Sequence, residues 1–236
     1  MSNRLLLVVL AVATLVMVLV FAPMRLLTKG LAGSSVVGAA GVSGVVWAGR
    51  LNHVTLSGTP IGSWKGGLNP LTLLTGQVRM SLRRGNGGPD QRAVLLLAGR
   101  ERGVERLNLR TSLDLALLGL PLSGDVAFRD TTAVFRKGRC ARAGGEIRLR
   151  LIGEGPLSGS VLSGVSACRS DSWIATLSGK AGATDLTLVG RLEKDGRYQL
   201  EMSATTTDPD LVQALVTGGF QRDATGARRT VTGRVT

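Results

Sequence analysis

Aromatic side chains are nearly missing from this sequence: Phe, Trp and Tyr make up 3% of 236 residues. It also has a single histidine, His53, and only two cysteines, Cys140 and Cys168. Each shortage closes a route to function. A single-strand nucleic-acid binder needs aromatic faces on which bases stack. A His-dependent catalytic triad would have to use His53, which sits in the alternating stretch His53-Val54-Thr55-Leu56 and reads as an outward strand residue. A structural zinc site needs four ligands at characteristic spacing, more than two cysteines and one histidine supply. Gly85-Asn86-Gly87-Gly88-Pro89 lacks the lysine and following helix of a phosphate loop. Ser158-Gly159-Ser160 reads as a turn rather than a nucleophile elbow. Asp125 and Asp130 lie five residues apart on one predicted strand and would point to opposite faces. The expectation is a chain with no catalytic residue, no metal and no cofactor.

What is present is aliphatic and glycine-rich. Hydrophobic residues make up 44%, mean hydropathy is +0.22, and 33 glycines are scattered at short intervals. That composition builds a core from aliphatic side chains and ends its strands at frequent turns. The net charge is +13 with a pI near 11.3. Uninterrupted basic runs stop at pairs such as Arg83-Arg84 and Arg228-Arg229, and acids are interspersed. The charge therefore reads as solvated strand faces, with no nucleic-acid partner.

Leu5 to Ala22, LLLVVLAVATLVMVLVFA, contains no charge and one polar residue, Thr14. As a helix it would be about 27 Å long, close to the hydrocarbon thickness of a bilayer. It is longer than the apolar part of a cleaved signal peptide, and Phe21-Ala22-Pro23-Met24-Arg25 is a poor cleavage site. The stretch predicts an uncleaved, single-pass anchor over 1–23, with a Gly-rich juxtamembrane linker over 24–41. Topology then turns on Cys140 and Cys168. A structural disulfide between them is the simplest reading and places the domain in an oxidising compartment, the periplasm; the alternative is two free buried thiols in a cytosolic domain.

From Val42 onward, short runs rich in Val, Leu, Ile and Thr recur, each ended by Gly, Asn, Asp or Pro. Twelve strands are predicted, from Gly44–Arg50 to Tyr198–Ala204. Several alternate cleanly: Val78, Met80 and Leu82 fall on one face against Arg79, Ser81 and Arg83, and Ile147, Leu149 and Leu151 against Arg148 and Arg150. One wet face and one buried face is the mark of an antiparallel sheet. Two short helices carry end signals: Asn69-Pro70 before a run closed by Gly76, and Asp208-Pro209 before Leu211–Thr217, closed by Gly218-Gly219. A weaker helical turn is predicted around Leu113–Leu118. The β-rich domain is expected over 42–220, with 221–236 a frayed tail or an edge strand. Pro121-Leu122-Ser123-Gly124 echoes in Pro156-Leu157-Ser158-Gly159, a hint of two similar β-units. Trp47 and Trp64 read as large side chains filling an aliphatic core, with a partner hot spot as the competing role.

Gly44-Val45-Val46-Trp47-Ala48-Gly49-Arg50, then Trp64, then Pro70-Leu71-Thr72-Leu73-Leu74-Thr75-Gly76 form an ordered series. With the paired cysteines, Asp195-Gly196-Arg197-Tyr198 and the helix ending in Gly218-Gly219-Phe220, this series resembles the protein N family of the bacterial type II secretion system. The resemblance implies a non-enzymatic inner-membrane protein with its bulk in the periplasm. It also implies partners among the inner-membrane platform subunits or the outer-membrane secretin. The alternative reading of the residues is a periplasmic lipid-binding or lipid-transfer protein, its aliphatic strands curled into an open β-groove.

Overall fold

A computed structural model describes residues 10, 13–14, 17, 21–23, 37–56, 59–73, 75–84, 91–116, 120 and 122–234. From Val37 onward the described residues are mainly β: fourteen strands in one antiparallel sheet and two short helices. In chain order the elements are β1 (Val37–Val45), β2 (Ala48–Leu56), β3 (Thr59–Leu68), α1 (Pro70–Leu73), β4 (Val78–Arg84), β5 (Arg92–Ala98), β6 (Glu101–Asp114) and β7 (Leu122–Arg136). They continue with β8 (Arg139–Gly153), β9 (Val161–Arg169), β10 (Ser172–Ala181), β11 (Thr184–Leu192), β12 (Arg197–Thr205), α2 (Pro209–Thr217), β13 (Gln221–Asp223) and β14 (Gly226–Arg234). Each strand pairs with its sequence neighbour up to β12, which pairs with β14, and β13 closes that edge. A pure meander follows from short polar turns between runs that each have one apolar face.

The predicted alternation is present in register. Ile147, Leu149 and Leu151 are buried between exposed Arg148 and Arg150. The inner face of β7–β14 forms one large cluster holding Val126, Ile147, Leu151, Leu162, Leu177, Leu186 and Met202. α2 covers it with Leu211 and Leu215, joined by Leu120, Leu157 and Phe220 from the connections. Asp208 caps α2 by accepting from the Asp210 and Leu211 amides, and Gly219, at φ 89°, turns the chain out. Arg229 of β14 donates to the Gly218 carbonyl at 2.7 Å, holding the helix end on the sheet. At α1, Asn69 accepts from the Leu71 amide at 3.0 Å.

The first six strands pack differently. Val54, Trp64 and Leu109 share a small cluster that joins β2 and β3 to β6, so the sheet rolls until Trp64 rests on Leu109. A second small cluster of Val46, Leu68 and Met80 sits at the end where β1 turns into β2.

Several expectations change. The predicted strand Gly44–Arg50 is a hairpin instead: β1 ends at Val45, Val46-Trp47 form the turn, and β2 begins at Ala48. The turn lacks Asn-Gly chemistry, and its bend is set by tertiary contact, with Val46 buried and its carbonyl accepting from the Leu68 amide at 2.9 Å. The sheet begins before 42, at Val37, and of the two readings of the C-terminal segment the edge strand is present, as β13 and β14. Of the helical turn predicted around Leu113–Leu118, Leu113 and Asp114 belong to β6, Ala116 is in a 3-10 turn, and 117–119 lie outside the described residues.

Most of the Leu5–Ala22 stretch also lies outside the described residues, and among those described no helix is long and apolar enough to cross a membrane. The described part shows two helical hydrogen bonds, Thr14 Oγ1 to the Leu10 carbonyl and the Phe21 amide to the Met17 carbonyl. The end of the stretch is tied to the sheet: the Val46 amide donates to the Ala22 carbonyl at 2.9 Å, and Pro23 bridges Val45.

Candidate functional site

Cys140 and Cys168 are disulfide-bonded, with Cα atoms 5.5 Å apart. The β8–β9 ladder runs from Glu146↔Val165 to Arg150↔Val161, so the bond joins the two strands beyond the ladder's end. Beside it, the Cys140 amide donates to the Asp171 carbonyl, and Ser166 hydrogen-bonds the Gly144 backbone through both amide and carbonyl. The cross-link is a staple for a strand pair that has separated.

The two tryptophans have different places. Trp64 is 4% exposed within the β3 cluster. Trp47 is half-buried in the β1–β2 turn, packed on the Val46–Leu68–Met80 cluster and lining an outer-face hollow. His53 is exposed at a β-bulge, φ 49°, its amide 3.4 Å from Ser63 Oγ. Asp130 sits at another bulge, φ 45°, and accepts from Asn108 Nδ2 at 2.8 Å. The four sit on different elements: Trp47 at the β1–β2 turn, His53 on β2, Trp64 on β3 and Asp130 on β7.

Sequence reading missed two charged constellations. The first is an ion network on the outer face, built by half-exposed arginines around a buried carboxylate, Glu101. Register aligns Arg79 (β4), Leu96 (β5), Gly103 (β6), Val134 (β7) and Arg142 (β8) in one row. Arg142 reaches Glu101 at 2.6 Å and Glu105 at 2.5 Å, Arg79 reaches Glu105 at 3.7 Å, and Arg136 pairs with Glu101. Glu101 and Val134 are buried there, as is Leu96. The hydrogen bond from Arg136, helped by the charge of Arg142, holds the Glu101 carboxyl below the usual carboxylate range against the opposing effect of burial. Burial disfavours the Arg142 charge, but Glu105 and Glu101 outweigh it and raise the guanidinium's pKa. Alternation alone labels Glu101 a solvated residue; only the next two strands, β7 and β8, bring its partners.

The second is a row of unopposed cations. Arg50 of β2 pairs with Lys65 of β3, Lys65 with Arg83 of β4, and Arg83 with Arg92 of β5. All four are exposed, and none has an ion-pair partner among the described residues. Strand spacing gives the row a length of about 14 Å. A hollow of about 720 Å³ adjoins it, with small residues, Ala48, Gly67 and Ser81, in the next row. Gly67 is obligatory, because a Cβ there would lie 1.8 Å from the Trp47 carbonyl oxygen. A sequence signal for this site existed. Acids are not evenly interspersed: the first 100 residues contain ten basic side chains and one acid, Asp90.

Comparison with known proteins gives one family. Its sequence model, described as type II secretion system (T2SS), protein N, matches residues 35–231, from just before β1 to well into β14. Neither among curated proteins nor among solved structures does the chain find a match.

Proposed function

The chain belongs to the protein N family of the type II secretion system, and from that membership we propose that it is a non-enzymatic accessory of the secretion apparatus. It works through protein–protein contacts that support export of folded proteins across the outer membrane. The observation that carries this reading is the extent of the family match, which takes in nearly the whole sheet and both helices. In this reading the 1–23 segment is a single-pass inner-membrane anchor and the sheet stands in the periplasm. Two features favour it. The disulfide suits an oxidising compartment, and the Ala22–Val46 hydrogen bond couples the apolar stretch directly to the first hairpin. The expected partners are platform subunits of the inner membrane or the secretin.

A lipid-transfer groove would need the inner face of the sheet open along its length. Over β7–β14 that face is filled by α2, Leu157 and Phe220, and the secretion reading is preferred.

Photo-crosslinking in membranes of a cell that carries the whole apparatus tests the proposal. Recovery of platform subunits or secretin on this chain is the expected result. Their absence, with secretion unimpaired in a strain lacking the protein, would sink it. A C-terminal alkaline phosphatase fusion should be active; an inactive one reverses the topology.

A further inference from the structure

The cation row on β2–β5 is electrostatically costly as it stands. Like charges directly opposite one another on neighbouring strands destabilise a sheet. Elsewhere in the described sheet this cost is offset: Arg129 faces Glu146 at 3.8 Å and Lys180 faces Asp185 at 3.4 Å. Where arginines do stand opposite each other, Arg136 to Arg139 and Arg197 to Arg234, Arg136 pairs with Glu101, Arg139 with Asp171, and Arg197 with Glu193 and Asp195. Among the described residues, Arg50, Lys65, Arg83 and Arg92 face only one another across the ladder, with Ser43 and Asn108 next in line. Four exposed cations in line, beside a trough floored by small side chains, suit a ligand of repeated negative charge.

The surroundings narrow the class. The row lies two residues along β2 from its first residue, Ala48, and so close to the Val46-Trp47 turn, where Ala22 and Pro23 bring in the end of the apolar stretch. Trp47, half-buried at that turn, is the amphipathic residue type favoured at a membrane–water boundary. At the same end β3 runs into α1, whose Leu71 is 72% exposed. An acidic protein segment would match the charge, but it would give no reason for exposed Leu71 and the apolar stretch to share that end.

We propose that Arg50, Lys65, Arg83 and Arg92, with the trough beside them, bind phosphate headgroups of anionic phospholipid, so that this half of the sheet leans onto a negatively charged membrane surface. The inference rests on the cation row and the apolar groups at its end and not on the secretion reading; a protein with no secretion role would show it equally.

The test uses the full chain in nanodiscs of phosphatidylcholine alone or with phosphatidylglycerol. Acetylation of Lys65 and Lys180 by an amine-reactive reagent is followed by mass spectrometry. Lys65 should react severalfold more slowly in the anionic discs, regain its rate at high salt, and leave Lys180 as an unaffected control. The double variant Arg50→Gln/Arg83→Gln keeps the reporter lysine and should weaken surface association about thirtyfold, at roughly fivefold per cation. Its melting temperature should equal or exceed that of the parent, because repulsion is relieved. Equal Lys65 rates in the two discs overturn the proposal without recourse to any variant, as does protection that survives the double substitution. Stronger protection by soluble polyglutamate than by anionic discs would assign the trough to an acidic protein segment and also overturn it.

Discussion

The two halves of this sheet are stabilised by different means. In β7–β14 one face is a continuous aliphatic core, with Leu151 and Leu162 fully buried and α2 laid over it. In β1–β6 the buried residues gather in two small clusters, and the roll of the sheet brings Trp64 onto Leu109 in place of a covering helix. Charge follows the same division. Arginines that stand opposite each other in the C-terminal half, Arg136 to Arg139 and Arg197 to Arg234, have acids paired with at least one member. The N-terminal row of Arg50, Lys65, Arg83 and Arg92 has none among the described residues. A protein that needed only to be stable would have no reason to keep the second arrangement, so the lesson is a division of labour. The C-terminal half holds the fold, and the N-terminal half offers a surface.

The largest expected effect falls on the stable half. Leu151→Ala should cost about 4 kcal/mol, since it leaves a cavity at a site with no exposure. Leu51→Ala, at a half-buried site of the other half, should cost no more than about 2 kcal/mol. Urea unfolding of both variants measures the contrast, and equal costs would erase it.

Gly67→Ala comes next, at about 2 kcal/mol, the scale of strain from forcing a side chain into a packed site. Its Cβ would collide with the Trp47 carbonyl. Hydrogen exchange should accelerate in β1–β3 and stay unchanged in β8–β11; acceleration throughout would mean one cooperative unit.

The smallest effect lies at the seam between the halves. The Glu101 carboxyl is held below its reference value of 4.5 in the folded protein. The ion network's stabilisation is therefore complete above about pH 4.5 and is lost as pH falls through the depressed folded-state value. Glu101→Gln should cost about 1.5 kcal/mol at neutral pH, within the range for a charged hydrogen bond. It should also flatten the pH dependence of the melting temperature in that acid window. A variant with the parent's acid profile would show that the seam does not depend on Glu101.

Much of this architecture was legible in the residue order. Alternation in Gln77–Arg83 and Glu146–Leu151 marks one-sided strands, Asp208-Pro209 marks a helix start, and the lone cysteine pair marks a cross-link. The Val46-Trp47 turn was not legible, because its bend comes from contact with β3 and not from turn residues. The cation row was half legible. The scarcity of acids before residue 101 could be counted, but which cations stand opposite each other depends on register.

Residue order by itself determined the periodicity, the turns rich in glycine and the family, all of which rest on interactions between near neighbours in the chain. Tertiary structure alone decided which charges meet. Glu101 finds Arg136 and Arg142 from 35 and 41 residues away, and Arg50, Lys65 and Arg83 align only once three strands are in register. Coulomb energy depends on distance in space, and a periodic pattern fixes the face on which a side chain lies without naming its neighbour across the ladder.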